Sequence, residues 1–282
     1  MSPLPTSARW EFEAQADLDL SQDPASAELL EKNMSLSAAL QSVVKDAVVD
    51  LRGGLDPRER AIIGLLAKAF KTHRAVVILA SLGYGEDAHS LARSLFETAV
   101  YAKAIAADTT GQLAERWVDF TAAESYLLLH MAREGRFPTL DGVHAAMAAD
   151  PEAFADIDRR AEEIQRKWRF WRERKSDGAW FMENHWSGKK NLRELAESVD
   201  MGEQYAVTET LASQEIHASS AAVAGYIREE GNELIVSGAP SLEGVPEALA
   251  DASAYLTIVA DAWALIMDVP QDIKSALGLQ CR

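Results

Sequence analysis

The sequence predicts an all-α protein, a single irregular bundle of about eight to ten helices around a central antiparallel helix hairpin. Apolar residues recur at spacings of three and four along most of the chain, and alternating strand patterns are nearly absent. Helix start signals and helix-ending glycines are frequent. No repeat of solenoid period is present, which favours a bundle over a helical array. We expect residues 1–22 to be loosely ordered and residues 23–282 to form one domain.

The predicted hairpin lies in the first half of the chain. Asp23-Pro24 and Asp56-Pro57 each join a capping residue to a proline at the first helical position. The first signal opens a helix that runs to residues 53–54, and the second opens one that stops at Gly83. A short turn leads to a helix over residues 86–107, so these two neighbours should be antiparallel. Further helices are predicted over residues 111–133, 140–149 and 151–175.

The second half of the chain is less regular. Residues 176–188 contain three aromatic residues, a histidine and glycines without a clear period, so we expect an ordered loop. Residues 229–244 form a polar connection in which residues 233–237 are a candidate extended piece. Helices are predicted over residues 192–199, 203–228, 246–267 and 270–277.

Composition and charge limit the classes of function that the protein can have. The formal charge of −16 disfavours nonspecific binding to nucleic acid or anionic membranes. The single cysteine, Cys281, excludes a disulfide within the chain. The N-terminus lacks the basic start and apolar stretch of a secretory signal, and the apolar runs are too short or are interrupted by Asp261. We therefore expect a cytoplasmic protein with no membrane partner.

One segment reverses the overall charge. Residues 159–175 contain eight basic and three acidic residues, with Trp168, Phe170 and Trp171 among them. Such a pattern is compatible with a nucleic-acid contact, although the basic residues lie all around the predicted helix. The alternative is that arginine stems cover a neighbouring helix while the tryptophans pack inward. The candidate contacts are Arg159, Arg160, Arg166, Lys167, Arg169 and Arg172.

Two predicted helices carry polar faces. His89, Arg93 and Glu97 follow one another at four-residue steps in the helix over residues 86–107, so they share one face. An ordinary Arg–Glu pair without a function explains this spacing equally well. The helix belongs to the most apolar hairpin of the chain, however, so we also consider that its charged face points inward. The later helix gathers hydroxyl groups around His217, a pattern typical of either a polar lining or a hydrated surface. The residues of that second face are Thr210, Ser213, His217 and Ser220.

A third polar group lies in the irregular loop. His185 and Trp186 precede Ser187-Gly188, and Lys189 and Lys190 stand just before a predicted helix start. Backbone N–H groups and the helix dipole favour an anion at such a position. The alternative is a capping loop in which Trp186 packs into the core. His73, by contrast, falls on the apolar stripe of its helix, and we interpret it as a core histidine.

Three short motifs carry a family resemblance: RSLFE at residues 93–97, NHWSG at residues 184–188, and SQEIHAS at residues 213–219. In this order and separation they resemble a bacterial all-helical family catalogued as domain of unknown function 5677. The resemblance covers about residues 56–228. It implies a shared fold and site without naming a reaction. The site residues it groups are Arg93, Glu97, His185, Trp186, Ser213 and His217.

The sequence supports two classes of function. The first is a binding or regulatory module that holds a small anionic ligand through Arg93, Trp186, Ser213 and Lys189. The alternative is a metal-independent hydrolase or nuclease, of the kind found in toxin or phage-defence systems, with Glu97, His185 and His217 in acid–base roles. Ser213 activated by His217 is a weaker version, since no orienting acid is visible.

Metal chemistry has little support in the sequence. Two pairs, Glu86/His89 and Asp141/His144, have the Glu-x-x-His type of spacing used by di-iron bundles, but they lack the partnering glutamates. We expect no metal and no cofactor. A homo-oligomer is plausible, and the sequence does not define its interface.

Overall fold

The structure is a computed structural model, and it describes residues 7–11, 23–46, 54–134, 142, 145, 149–173, 180–182, 185–208, 226–230, 233–276 and 278–279. Long helices dominate these residues and the strands are short, which confirms the all-α bundle. The helices are α1 (Pro24–Asp46), α2 (Pro57–Ser81), α3 (Gly85–Ala107), α4 (Gln112–Arg133), α5 (Pro151–Trp168), α6 (Leu192–Glu197), α7 (Val245–Ile266) and α8 (Gln271–Ala276). The strands are β1 (Ser7–Glu11), β2 (Trp171–Glu173), β3 (Trp180–Met182), β4 (Ile227–Glu230) and β5 (Glu233–Ser237). Residues 202–208 are also helical.

The central hairpin consists of α2 and α3, as predicted. A capping box begins α2: the Asp56 side chain accepts from the Glu59 amide at 2.8 Å, and the Glu59 carboxylate accepts from the Asp56 amide at 2.9 Å. The chain reverses at Gly83, whose φ of +79° favours glycine. Both local signals were readable from the sequence, and the prediction of the antiparallel pair is confirmed.

Helix α7 packs against both hairpin helices, and α1 packs against α7 and α2. A Cβ atom at Gly85 would lie 2.0 Å from the Glu243 carbonyl oxygen, so only glycine allows α3 and α7 to begin side by side. Within the described residues, α7 is the one helix long and apolar enough to cross a membrane. A core helix has the same composition, and α7 is largely buried between α1, α2 and α3.

A second, smaller core lies between α4, α5 and the β2–β3 pair. Its buried residues are Ala123, Ala161, Ile164, Phe170 and Trp171. Phe120 on α4 meets Phe170 edge to face, with the ring centroids 5.2 Å apart. Phe120 also packs against the main core. Helix α4 therefore joins the two cores.

The structure corrects the predicted helix over residues 151–175. Helix α5 ends at Trp168, because Arg169 adopts a left-handed backbone with φ of 55°. Strand β2 follows and pairs antiparallel with β3, which lies within the predicted loop over residues 176–188. The Gln165 side chain stabilises the reversal by donating to the Trp171 carbonyl at 2.5 Å.

A further correction concerns the helix predicted over residues 203–228. Its first turns are present at residues 202–208, but Ile227 and Arg228 belong to β4, which pairs antiparallel with β5. The brief extended piece over residues 233–237 is confirmed as β5. Strand β1 pairs parallel with β5, so residues 7–11 of the predicted loose segment form part of a sheet. The predicted helix over residues 140–149 lies almost entirely outside the described residues.

Candidate functional site

The candidate site is the cluster where α3 meets the turn at residues 185–188. The Tyr101 hydroxyl donates to Glu97 Oε1 at 2.6 Å, one helical turn away on the same face of α3. The Tyr101 ring packs against His185 with a centroid distance of 6.0 Å, and edge to face against Trp186 at 5.0 Å. The structure thus brings Glu97 and the His185 turn together, with Tyr101 between them. No sequence motif marks Tyr101 as a site residue.

Hydrogen bonds within the turn define the orientation of His185. Its Nδ1 lies 2.8 Å from Ser187 Oγ, and the Ser187 amide donates to the same nitrogen at 3.3 Å. The Lys189 amide in turn donates to Ser187 Oγ at 3.2 Å. Because the Ser187 amide needs a lone pair on Nδ1, these bonds assign the neutral imidazole its proton on Nε2. His185 is therefore positioned to donate a hydrogen bond from Nε2.

The start of α6 does not form the predicted anion cradle. The Asn191 side chain caps the helix by accepting from the Glu194 amide at 3.0 Å. The Lys190 amide donates to the Glu194 carboxylate at 3.0 Å, and the Lys189 amide is bonded to Ser187. The protein's own oxygens thus occupy these amides. Lys189 remains an exposed cation beside the turn.

The surroundings of the site shift the pKa values of several titratable groups, and burial lowers that of Arg116. Burial lowers the pKa of His185, while the Glu97 charge acts to raise it and the Arg116 charge to lower it. Burial, the Glu97 charge and the hydrogen bond to Glu97 raise the pKa of Tyr101 above its ordinary value. Burial also raises the pKa of Glu124 on α4. The neutral forms of His185 and Tyr101 are therefore favoured at neutral pH.

Arg116 on α4 is a site residue that the sequence analysis missed. Its Nε donates to the Trp186 carbonyl at 2.6 Å, and its guanidinium lies over the rings of Trp168 and Phe170, at 4.7 and 5.2 Å from their centroids. A Cβ atom at Gly188 would lie 3.6 Å from the same guanidinium. Arg116 has no motif around it in the sequence, because all these partners lie 52 to 72 positions further along the chain.

The other predicted site residues divide into three groups. Trp186 is buried, as the alternative interpretation of its loop predicted, and its indole N–H makes no well-formed hydrogen bond within the described residues. Arg93 is half-buried and engages another group of the protein, while His89 pairs with Asp251 on α7 at 3.4 Å. Ser213 and His217, with the rest of their predicted face, lie outside the described residues.

His73 is a core residue, as predicted. It is fully buried, and its Nε2 lies 2.8 Å from the Asn33 side-chain oxygen. The Asn33 amide group donates to the carbonyls of Leu29 and Leu249, at 2.8 and 3.0 Å. Since Asn33 must therefore present its oxygen to His73, the imidazole carries its proton on Nε2. Burial lowers the pKa of His73 to about 4.

Much of the basic segment is engaged within the protein. Lys167 contacts Glu115 and lies 3.8 Å from Asp119, and the Trp168 indole donates to Asp119 at 2.7 Å. Arg159 pairs with Asp156 at 2.7 Å on the solvent face of α5, and the Arg172 guanidinium lies 5.1 Å from the centre of the Phe181 ring. These contacts support the interpretation that the segment packs on α4 and β3.

Two open cavities lie away from the candidate site. A groove of about 340 Å³ between α4 and α5 is lined by Ala122, Ser125, Leu129, Phe154, Ile157, Arg160 and Ala161. A smaller one of about 240 Å³ lies where the start of α2 meets α4. Within the described residues, no group of three or more His, Cys, Asp or Glu side chains is arranged to hold a metal ion.

The fold and the site define a helical-bundle protein with a half-buried cluster of Glu97, Tyr101 and His185, which lies where its central hairpin meets the turn at residues 185–188. The chain belongs to a family of unknown function, DUF5677, whose model matches residues 59–234. The match includes the hairpin, α4, α5 and the His185 turn, and it confirms the resemblance seen in the three motifs. Neither the curated proteins nor the solved structures contain a match to this chain.

Proposed function

We propose that the protein is a cytoplasmic binding or regulatory module that holds a small anionic ligand where Glu97 and Tyr101 meet the His185 turn. The observation that carries the proposal is the chain of hydrogen bonds from the Lys189 amide through Ser187 to His185. It holds a neutral imidazole with its proton on Nε2, which forms no hydrogen bond within the described residues. A donor held in place before the ligand arrives loses little entropy on binding.

Two further features of the described residues support an anionic ligand. The indole N–H of Trp186 is a buried donor without a well-formed hydrogen bond within the described residues, although it lies near enough to the Tyr101 hydroxyl to lower the pKa of that group. Such a donor gains free energy when a better-placed acceptor reaches it. Exposed Lys189 adds positive charge beside the turn. We include Arg93, Ser213 and His217 in the proposed site because the family motifs group them with His185 and Trp186.

The same cluster supports a second candidate function, a metal-independent hydrolase or nuclease. Glu97 and His185 both contact Tyr101, so two groups suited to proton transfer lie near each other. In this candidate Glu97 or His217 acts as the general base and His185 as the acid.

Isothermal titration with inorganic phosphate, acetate and adenosine monophosphate tests the proposed function. At least one of these anions should bind, and His185→Gln should weaken that binding by about tenfold, which corresponds to loss of one hydrogen bond to a charged group. His130→Gln, in the last turn of α4 and outside the proposed site, is the matched control and should bind as the parent does. If no anion binds the parent, or if both variants bind equally well, the proposal is wrong.

The enzyme candidate is separated from the binding module by turnover. Incubation with p-nitrophenyl phosphate, bis-p-nitrophenyl phosphate and a short RNA should release product only if the cluster is catalytic. Glu97→Gln should then abolish turnover while retaining affinity for phosphate. An anion that binds the parent without any product release supports the binding module.

A further inference from the structure

We infer that Arg116 is the residue that anchors the anionic group, and that this group is a carboxylate or phosphate able to accept two parallel N–H bonds. The inference rests on the proposed function, because it places a new contact in the same site. It moves the main positive charge of the site from Arg93 to a residue of α4 that no sequence motif marks.

The guanidinium of Arg116 is held in one orientation. Its Nε bond to the Trp186 carbonyl and its position over the Trp168 and Phe170 rings restrain the long side chain. Its Nη2 lies beside Gly188, where an added Cβ atom would make an ordinary contact of 3.6 Å. A restrained fork loses less entropy when it binds a ligand than a free side chain does.

Among the residues that the structure describes, no acidic side chain pairs with Arg116, which is a half-buried cation. Within the described residues, its bond to Trp186 is the only hydrogen bond of the guanidinium, so both terminal nitrogens keep their donors. The acidic neighbours on α4, Glu115 and Asp119, contact Lys167 and Trp168 instead. Partial removal of a charge from water is unfavourable unless a counter-charge compensates it, and a bound oxyanion supplies one.

The position of Arg116 matches the donors already described. It bonds to the carbonyl of Trp186, the residue directly after His185, so the guanidinium and the imidazole flank one turn. Arg93 is engaged with another group of the protein, and Lys189 is an exposed point charge. The Lys189 ammonium has no planar fork. Paired oxygens of a carboxylate or phosphate fit such a fork, whereas a halide accepts no parallel pair.

Arg116→Lys tests the inference because it keeps the charge and removes the fork. Binding of inorganic phosphate, phenyl phosphate and benzoate is measured by isothermal titration, and the three probes distinguish a phosphate ligand from a carboxylate ligand. Arg116→Lys should weaken the preferred probe by about tenfold or more, the loss of one charged hydrogen bond. Arg193→Lys, whose exposed guanidinium pairs with Glu197 at 2.9 Å, is the matched control and should bind as the parent does.

A second measurement uses the unaltered protein, since Arg116→Lys also removes contacts that stabilise the turn. Phenylglyoxal modifies accessible arginines, and peptide mass mapping reports each site. Saturating phosphate or benzoate should slow modification of Arg116 by about tenfold while leaving Arg193 unaffected. If anions bind and His185→Gln weakens them, but Arg116→Lys binds normally and Arg116 gains no protection, the proposed function stands and the inference fails. If no anion binds at all, both fail.

Discussion

His73 and His185 lie in two regions of the same bundle with opposite surroundings. His73 is fully buried between α1, α2 and α7. Its Nε2 donates to the side-chain oxygen of Asn33, whose amide group also donates to the Leu249 carbonyl on α7. His185 is half-buried on a turn, and its bonds leave Nε2 available as a donor. A buried histidine whose N–H is bonded within the core, as in His73, serves the fold, although its Nδ1 has no hydrogen-bond partner within the described residues. A histidine that a turn orients with an N–H left over, as in His185, is suited to a ligand.

The largest effect we expect is the loss of stability in Asn33→Ala. The change leaves the His73 N–H buried without an acceptor and removes the extra bond that Asn33 donates to the Leu249 carbonyl, at a cost of about 3 kcal/mol in the free energy of unfolding. Asn191→Ala, which removes only the exposed cap of α6, should cost about 1 kcal/mol. Urea denaturation measures both. Equal costs would show that the sealed pair is not a main support of the core.

The sealed histidine should also make the fold sensitive to acid. Burial lowers the pKa of His73 to about 4 from an unfolded value of 6.5, so between these pH values the unfolded chain binds more protons than the native one. This contribution to stability is complete above pH 6.5 and is lost as pH falls towards 4, by about 3 kcal/mol. His73→Gln should be less stable at pH 8 and show a weaker pH dependence in this window, measured by urea denaturation. Parallel pH curves for the two proteins would contradict the assignment.

At the candidate site, Glu97→Gln should change the pKa of His185 more than it changes the free energy of unfolding. Glutamine still accepts from Tyr101, so the free energy of unfolding should change by less than about 1 kcal/mol. Loss of the Glu97 charge removes an interaction that raises the pKa of His185, so that pKa should fall further. Histidine NMR titrations report the shift, with Glu247→Gln, at an exposed position of α7, as the control. A rise in the His185 pKa would exclude the proposed contact.

The smallest effect we expect is that of Lys189→Ala. The side chain is exposed, so its charge is screened by salt and phosphate affinity should fall by about twofold at 0.15 M ionic strength. The melting temperature should stay unchanged. Titrations at 0.05 and 0.5 M salt should show the difference between variant and parent shrinking as salt rises. A tenfold loss that persists at high salt would instead make Lys189 a direct ligand contact.

The helices with local signals were predictable, and the ends that depend on distant partners were not. The capping box at Asp56 and the turn at Gly83 act through residues a few positions apart, so the hairpin was visible in the sequence. The end of α5 depends on Arg169 turning left-handed and on β3 pairing with β2. Strand β4 likewise requires β5 beside it. Helical periodicity carries no information on such pairings.

The candidate site, like the fold, was predictable only where residues lie in a short sequence motif. Glu97 and His185 were identified because each belongs to a short polar motif, and Tyr101 extends the four-residue steps of His89, Arg93 and Glu97 by one more turn. Arg116 gave no such signal. Its role comes from a carbonyl at position 186 and two aromatic rings, which only the packing of α4 against α5 and the turn brings to it.

By itself, the sequence determined the helical class, the central hairpin, the core role of His73 and the family of this protein, because periodicity, capping and motifs act over short spans of chain. The tertiary structure decided which polar residues share a site, which way the His185 imidazole points and which arginine lies beside it. Those properties arise from contacts between residues far apart in the chain, where small differences in packing select one partner over another.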